Sequence, residues 1–230
     1  EAGRNEFTTE NGRDVDAVIT TQELGKMIES AGIRFTDLKD EDFDMPFGIA
    51  SGAGIIFGMS GGVTEAVVRF AAEKIAGDTS TCKVVKHKVS DGITELTVNI
   101  GATSFKSAVV YGLKNARTVC NDIINGTSPY QVIEVMACPG GCVNGAGQPV
   151  ITDFNTVAKR ADGLRDIDNT SKIYTTLSNS SVAKIYSEHL GHSGSHEAHK
   201  LLHTHYSSRK RVRDDAFHLH GSVTPKLSVS

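Results

Sequence analysis

Two thiols four residues apart, Cys138 and Cys142, are the side chains of this sequence best suited to chemistry, because thiolate sulfur is a soft ligand for iron, zinc and copper. They belong to the stretch Met136-Ala-Cys138-Pro-Gly-Gly-Cys142-Val-Asn-Gly-Ala-Gly-Gln148-Pro149, which follows directly on the apolar run Tyr130 to Val135. A buried strand through Val132, Ile133 and Val135 would supply a rigid edge. Pro139, Gly140 and Gly141 would then turn the backbone so that both sulfurs point into one cavity, glycine serving where a Cβ would clash or φ must be positive. The same residues also suit two reduced thiols packed beside a turn. The pair by itself leaves both readings open.

Two further stretches carry chemistry-bearing residues. Ser51-Gly-Ala-Gly-Ile-Ile-Phe57-Gly58-Met-Ser-Gly-Gly62 is glycine-dense and uncharged and runs straight into the helical segment Val63 to Lys74. Such a loop lets backbone amides approach an anionic group such as a nucleotide phosphate. Its spacing is neither the dinucleotide fingerprint nor a Walker A loop, since no Gly-Lys-Ser/Thr follows. Close packing of a helix on a neighbouring strand needs the same small residues. Eight of the nine histidines fall between His189 and His220, and His196, His199 and His203, at i, i+3 and i+7, share a helical face. A zinc or two-metal site would use that face. A partly exposed helix whose histidines cap and hydrogen-bond locally would look the same, and no carboxylate or cysteine joins them at ligand spacing.

The elements that must position these residues follow from periodicity and punctuation. Asp14 to Thr20 reads as a short buried strand, and Thr20 or Thr21 then caps a helix that Ala31-Gly32 stops. Phe35 to Asp44 is an acidic linker, and Met45-Pro46 keeps the chain extended. Lys83 to His87 and Glu95 to Ile100 alternate like strands of a hairpin or meander around Asp91-Gly92. Ser107 to Tyr111 is a buried strand that Gly112 turns, and Asn115 to Ile124 an amphipathic helix. The strand before the cysteines comes next. This order is a βαβ unit, so its strands should be parallel, with Gly112 and Cys138 at the carboxyl ends where ligand sites lie. Cys120 on the helix reads as core, and Cys82 beside a polar turn as incidental. Beyond Pro149 the pattern is helical over Asp153 to Leu164, Val182 to Leu190 and Ser195 to Tyr206. The remainder is a solvated tail.

Composition limits the function classes. A chain of 230 residues can bury a sizeable core, and 22% charged residues with a net charge of -3 predict no general affinity for nucleic acid. Four cysteines, at 82, 120, 138 and 142, are too few and too scattered for a secreted disulfide framework, which favours a reducing compartment. No apolar run nears the roughly 20 residues needed to span a bilayer, and no signal peptide is evident, so a soluble, membrane-free protein is expected. The start at Glu1, with no Met and a strand-like segment close behind, predicts that an N-terminal part is missing.

Taken together, Gly52 to Ala66, Glu134 to Pro149 and His196 to Tyr206 resemble the catalytic domain of iron-only (FeFe) hydrogenases, and Asp14 to Met27 looks similar too. The cysteine loop is the most specific part, because few folds place Met-Ala-Cys-Pro-Gly-Gly-Cys before Gly-x-Gly-Gln-Pro. The resemblance covers residues 1–206 and leaves 207–230 as the polar tail. It implies an α/β fold: part of a two-lobed domain with mainly parallel sheets flanked by helices and the metal site in the cleft. It also implies a 4Fe-4S cubane joined through one cysteine to a two-iron unit bearing carbonyl, cyanide and a bridging dithiolate. Cys138 would be a cubane ligand, and Cys142 would bind the cubane and bridge to the two-iron unit. Met136 would pack its thioether against that unit, while Phe57 and Gly58 would wall it in and keep water out.

The departures from the family pattern are as informative. A cubane needs four thiolates, and the family draws the other two from loops upstream of the segment aligned with Glu1. Met59, Ser60 and Thr64 replace the usual Ala, Thr and Met, and Ala146 replaces a glycine. The expected function is therefore a fragment of an iron-only hydrogenase, inactive alone, whose full enzyme reversibly reduces protons to H2 with ferredoxin as electron partner. One rival is a hydrogenase-like iron-sulfur cluster assembly protein without the two-iron unit. Another is a zinc module built on Cys138, Cys142 and the histidine helix. The compartment would be the cytoplasm in a bacterium and a hydrogenosome or plastid in a eukaryote.

Overall fold

Two tight turns and one long crossover decide how the strands of this chain pair. A computed structural model describes residues 4, 7–42, 44, 45, 48–151, 153 and 155–204, which form two units that divide after Lys184. The expectations for Pro46 and for the tail 207–230 lie outside the described residues. A small hairpin of β1 (Thr8–Thr9) and β2 (Gly12–Arg13) precedes α1 (Thr21–Ser30). Thr20 caps α1 by accepting from Glu23 N at 3.2 Å, and the Glu23 carboxylate accepts in return from Thr20 N at 2.7 Å. This reciprocal pair satisfies amides that the first turn leaves free. Ala31 closes the helix, as its sequence predicts.

Asp14 to Thr20, in contrast, is not a buried strand. Val18 and Ile19 are 65% and 48% exposed, and no described strand pairs with them. Apolar alternation makes a strand only where a neighbour completes the hydrogen-bond ladder.

After α2 (Gly52–Ile55) and α3 (Gly62–Ala76) comes a four-stranded sheet of β3 (Cys82–Ser90), β4 (Ile93–Ile100), β5 (Thr103–Tyr111) and β6 (Val132–Met136), in sequential order. Asp91-Gly92 and Gly101-Ala102 are two-residue turns, so β3, β4 and β5 pair antiparallel. Between β5 and β6 runs α4 (Leu113–Ile124), and a crossover of that length makes the pair parallel, with Ala108 opposite Ile133. The α/β class holds, and the hairpin and the βαβ unit form as expected. The sheet is mixed, however, with one parallel pair, where the family resemblance implied mainly parallel strands.

Helices flank both faces of this sheet. Val68 and Ala72 of α3 pack on Leu96, Val98, Ile100 and Val109, while Val119 of α4 packs with Ile93, Ala108 and Val110 on the other face. The alternation along β4 and β5 sends neighbouring residues to opposite helices. Cys120, expected in the core, is exposed, because Val119 takes the inward position on α4. β6 is only half buried, with Val135 48% exposed.

The first unit continues through α5 (Thr156–Thr170), and α6 (Ser180–Ile185) ends at the division; the second contains a π-helical turn, Tyr186–Leu190, and α7 (His196–Leu202). Among the described residues no helix is long and apolar enough to cross a membrane. Arg69 joins α3 to α5 through a two-pronged pair with Asp168, at 2.7 and 2.6 Å. Both side chains are withdrawn from water, and Glu65 and Arg165 extend the network at 2.5 and 2.8 Å. The Arg69 guanidinium also lies 3.8 Å from the Tyr174 ring centroid.

Hydrogen bonds from Arg69, with Arg165 adding to them, hold the Asp168 carboxyl below its usual range. A depressed carboxylate stabilises the fold above the unfolded pKa of about 4, and that stability is lost as the pH falls through the folded value. Asp168→Ala removes the two-pronged partner of buried Arg69 and leaves Glu65 as its remaining carboxylate, and is expected to cost about 3 kcal/mol at pH 7. In urea titrations the gap between the native chain and the variant should narrow below about pH 4 as Asp168 protonates. An unchanged gap would mean that this charge pair does not carry the joint.

Candidate metal centre

The two thiols stand just past the carboxyl end of the parallel pair. Tyr111 lies opposite Met136 in register, and Gly112 N donates to Met136 O at 2.8 Å, carrying the ladder to the last residue of β6. Cys138 follows two residues later and is half-buried; Cys142 is exposed and begins a 3-10 turn, Cys142–Asn144. Gly141 N donates to Cys138 O at 3.0 Å, Gly145 N to Cys142 O at 3.0 Å, and the Asn144 side-chain amide to Pro139 O at 3.0 Å. These bonds fold the loop back on itself.

Neighbouring elements clamp the loop from outside. Arg160 of α5 donates to Val143 O and Pro149 O at 3.0 and 2.8 Å, and Gln22 N in the first turn of α1 donates to Gly147 O at 3.0 Å. Ser60 N donates to Gly140 O at 2.9 Å. At Gly141, where φ is +93°, a Cβ would lie 2.6 Å from Ser60 N, so only glycine permits this contact between the cysteine loop and the glycine-rich loop. Gly62 is as demanding, since a Cβ there would meet Ile56 O at 1.8 Å.

The glycine-rich loop does offer amides to an anion, and the anion is the protein's own. Gly61 is the N-cap of α3 and has no side chain with which to cap it. The Glu134 carboxylate, 7% exposed, accepts from Gly61 N at 2.6 Å with one oxygen and from Thr64 N at 2.8 Å with the other. A carboxylate at a helix N-terminus satisfies orphan amides and meets the positive end of the helix dipole. This interaction fixes β6, and with it the run from Met136 to Cys142, against the loop holding Phe57 and Gly58. At the next turn, Gly52 N and Ala53 N of α2 donate to Ile173 O and Tyr174 O at 2.8 and 3.2 Å. The packing reading of this loop therefore accounts for these amides, and they are not left for a nucleotide.

The other candidates fall around this frame. Met136 is half-buried at the strand end, Gly58 sits against Leu164, and Phe57 is 47% exposed. Ala146 is exposed, and no non-glycine residue among those described has positive φ, so its backbone conformation suits an ordinary L residue. Cys82 opens β3, where burial raises its thiol pKa, and Cys120 is on α4. A cavity of about 730 Å³ borders the same glycine loop at Ser60 and Gly61 but is lined further on by Arg69, Leu96 and Tyr111, and by neither loop cysteine. Among the described residues no three His, Cys, Asp or Glu side chains converge to hold a metal.

Glu134 is the site residue that the motif reading missed. Its signal was present: a lone acid between Val132-Ile133 and Val135-Met136 must find a partner when the strand is buried. Which amides it meets depends on β6 and a helix start 70 residues earlier coming together.

Known proteins share this arrangement of loops and strands. The family described as "Iron only hydrogenase large subunit, C-terminal domain" matches residues 1–146, and "Iron hydrogenase small subunit" matches 154–209. The NADP-reducing hydrogenase subunit HndD of Solidesulfovibrio fructosivorans is 40% identical over 215 residues, 92% of this chain and 36% of that protein. The periplasmic [Fe] hydrogenase large subunit of Nitratidesulfovibrio vulgaris is 49% identical over 151 residues, 64% of this chain and 35% of that one. The cytosolic Fe-S cluster assembly factor narfl of Xenopus tropicalis is 32% identical over 92% of this chain and 46% of its own length. Among solved structures, a variant of the [FeFe]-hydrogenase HydA1 from Chlamydomonas reinhardtii superposes with a TM-score of 0.70 at 33% identity, covering 89% of this chain and 59% of that one. The chain thus spans between about a third and a half of the curated relatives' length.

Removing the Glu134 carboxylate should loosen the cysteine loop. Glu134→Ala strands two amides and is expected to cost about 2–4 kcal/mol, with Glu134→Gln keeping one acceptor and losing about half as much. Iodoacetamide should then label Cys138 faster, approaching the rate of exposed Cys142. Labelling that stays unequal in a folded Glu134→Ala chain would show that the loop holds its shape without this carboxylate.

Proposed function

The chain belongs to the iron-only hydrogenase family, and from that premise we propose that it is the C-terminal part of an enzyme that reversibly reduces protons to H2. The observation that carries this reading is the locked pair of loops: two thiols at the end of a parallel strand, held by Glu134 beside a glycine-rich wall. Residues 1–206 are the catalytic-domain segment in this proposal. Cys138 supplies one thiolate to a 4Fe-4S cubane, and Cys142 supplies a second and bridges to the two-iron unit with its carbonyl, cyanide and dithiolate ligands. Met136 packs beside that unit, with Phe57 and Gly58 on the opposite loop. Ferredoxin is the proposed electron partner.

The residues present fit half of such a centre. A cubane takes four thiolates, whereas the loop holds two, and Cys82 and Cys120 sit on β3 and α4. The chain's own contribution is positional. Glu134 sets the strand end and Arg160 pins the loop carbonyls, so that both sulfurs leave one rigid turn. The other two thiolates are proposed to come from polypeptide outside these 230 residues. Exposed apolar side chains support docking against further protein: Phe35 at 70%, Ile124 at 80% and Val150 at 74%.

The match to the assembly factor supports a second reading, in which the thiols serve a cluster without hydrogenase chemistry. The hydrogenase relatives, at 40% and 49% identity against 32%, support the first. Anaerobic reconstitution with iron and sulfide, followed by iron analysis and an H2 assay, tests both. The chain alone should hold less iron than one cubane and evolve no H2, and a protein extended upstream should gain both, each lost in Cys142→Ser. H2 from the chain alone would overturn the half-site. An extended protein with a stable cubane but no H2 after maturation would favour the assembly reading.

A further inference from the structure

β3 is one edge of the four-stranded sheet, and among the described residues no strand or loop hydrogen-bonds to the outer side of its backbone. Residues 83–90 are exposed throughout. Their free amides and carbonyls are a template for one more strand. Side chains alternate along β3, so Cys82, Val84 and Lys86 share the face on which α3 packs, and Lys83, Val85 and His87 share the other. On the first face those three residues wall the cavity of about 730 Å³, whose floor includes Val68, Leu96 and Val109. Three lysines stand on this edge with little to answer them. Across the ladder Lys83 faces Asn99 and Lys86 faces Leu96, and Lys88 reaches Asp91 only at 3.8 Å. The nearby Glu95 carboxylate is held by Lys106 at 2.8 Å.

We propose that β3 is a docking edge for an extended acidic segment of another polypeptide, which adds a strand to the sheet. Strand addition takes its affinity from main-chain hydrogen bonds and its specificity from the side chains that stand opposite one another. The partner that fits therefore carries acids opposite Lys83, Lys86 and Lys88 and apolar residues opposite Val84 and Val85. Val84 and Val85 are 39% and 61% exposed, and such a strand would cover both. Its residue opposite Val84 shares the cavity face and would close the cavity's outer wall. Lysines along an edge deter the pairing of like strands. A second copy of this chain would bring its own lysines against these three, whereas an acidic strand meets each with an opposite charge. The same side chains thus disfavour self-pairing and select the partner.

The probe is the acetylated and amidated peptide Glu-Thr-Glu-Val-Val-Glu, which presents this pattern antiparallel to residues 83–88. Binding of a fluorescently labelled copy to the full chain, read by anisotropy, should saturate at one equivalent. The triple variant Lys83→Glu, Lys86→Glu, Lys88→Glu should weaken it at least tenfold and should bind instead the peptide with lysine in place of each glutamate. These side chains are exposed, so the variant should fold, and circular dichroism checks that it does. A fully N-methylated form of the acidic peptide keeps its charge, has no amide to donate and should not bind. Equal binding of the methylated peptide would reduce the edge to a general attraction for anions and overturn strand addition. No binding to the native chain, or binding that the triple variant retains, overturns it as well. Sedimentation showing self-association of the native chain that the triple variant abolishes would assign the edge to a second copy and likewise overturn the proposal.

Discussion

The carboxylate of Glu134 under the N-terminus of α3 is the interaction on which the rest of the thiol site depends. It joins a strand to a helix that begins 72 residues earlier, between Gly62 at the helix start and Glu134 on β6. Without a side chain at Gly61 the helix has free amides, and without those amides Glu134 would be a buried charge with no counterpart. Each defect resolves the other. The geometric result is that the run from Met136 to Cys142 is held against the glycine-rich loop by a bond between regular elements, since Glu134 lies within β6 and the amides it meets begin α3.

α3 is held at more than one point along its length. Its start is fixed by Glu134, its middle by the Arg69–Asp168 pair, and its apolar face by Val68 and Ala72 against the sheet. Asp168 belongs to the segment similar to the hydrogenase small subunit, whereas Arg69 belongs to the segment similar to the large subunit. A buried two-pronged charge pair is therefore one of the joints between them. Such a pair contributes less net stability than its Coulomb energy suggests, but it enforces one geometry, because a shifted helix would lose both hydrogen bonds to the buried Asp168 carboxylate.

Much of the local structure was legible in the residues. A threonine at 20 or 21 announced the start of α1, Asp91-Gly92 announced the β3–β4 turn, and Gly112 followed by an amphipathic run announced the parallel crossover to β6. Each is a short-range rule of capping, turn chemistry or chain reach. Asp14 to Thr20 was misread for the opposite reason. Its alternation matched a strand, but strand formation needs a partner, which composition does not report. Cys120 was misread by one position, since a helix of period 3.6 turns a neighbouring residue from core to solvent, and Val119 took the inward place.

What the sequence determined by itself is the inventory of the site and its local geometry: two thiols in a Pro-Gly-Gly turn after a strand, a glycine loop feeding a helix, and histidines at helical spacing. These depend on residues within one or two turns of one another. Only the tertiary structure decided that the glycine loop's anion is Glu134 and that Arg69 finds Asp168. It alone decided that His199 turns to His203 while His196 turns to Glu197. The reason is that a buried charge states its need for a partner in the sequence, but the identity of that partner is set by which distant segments the packed core brings within hydrogen-bond reach.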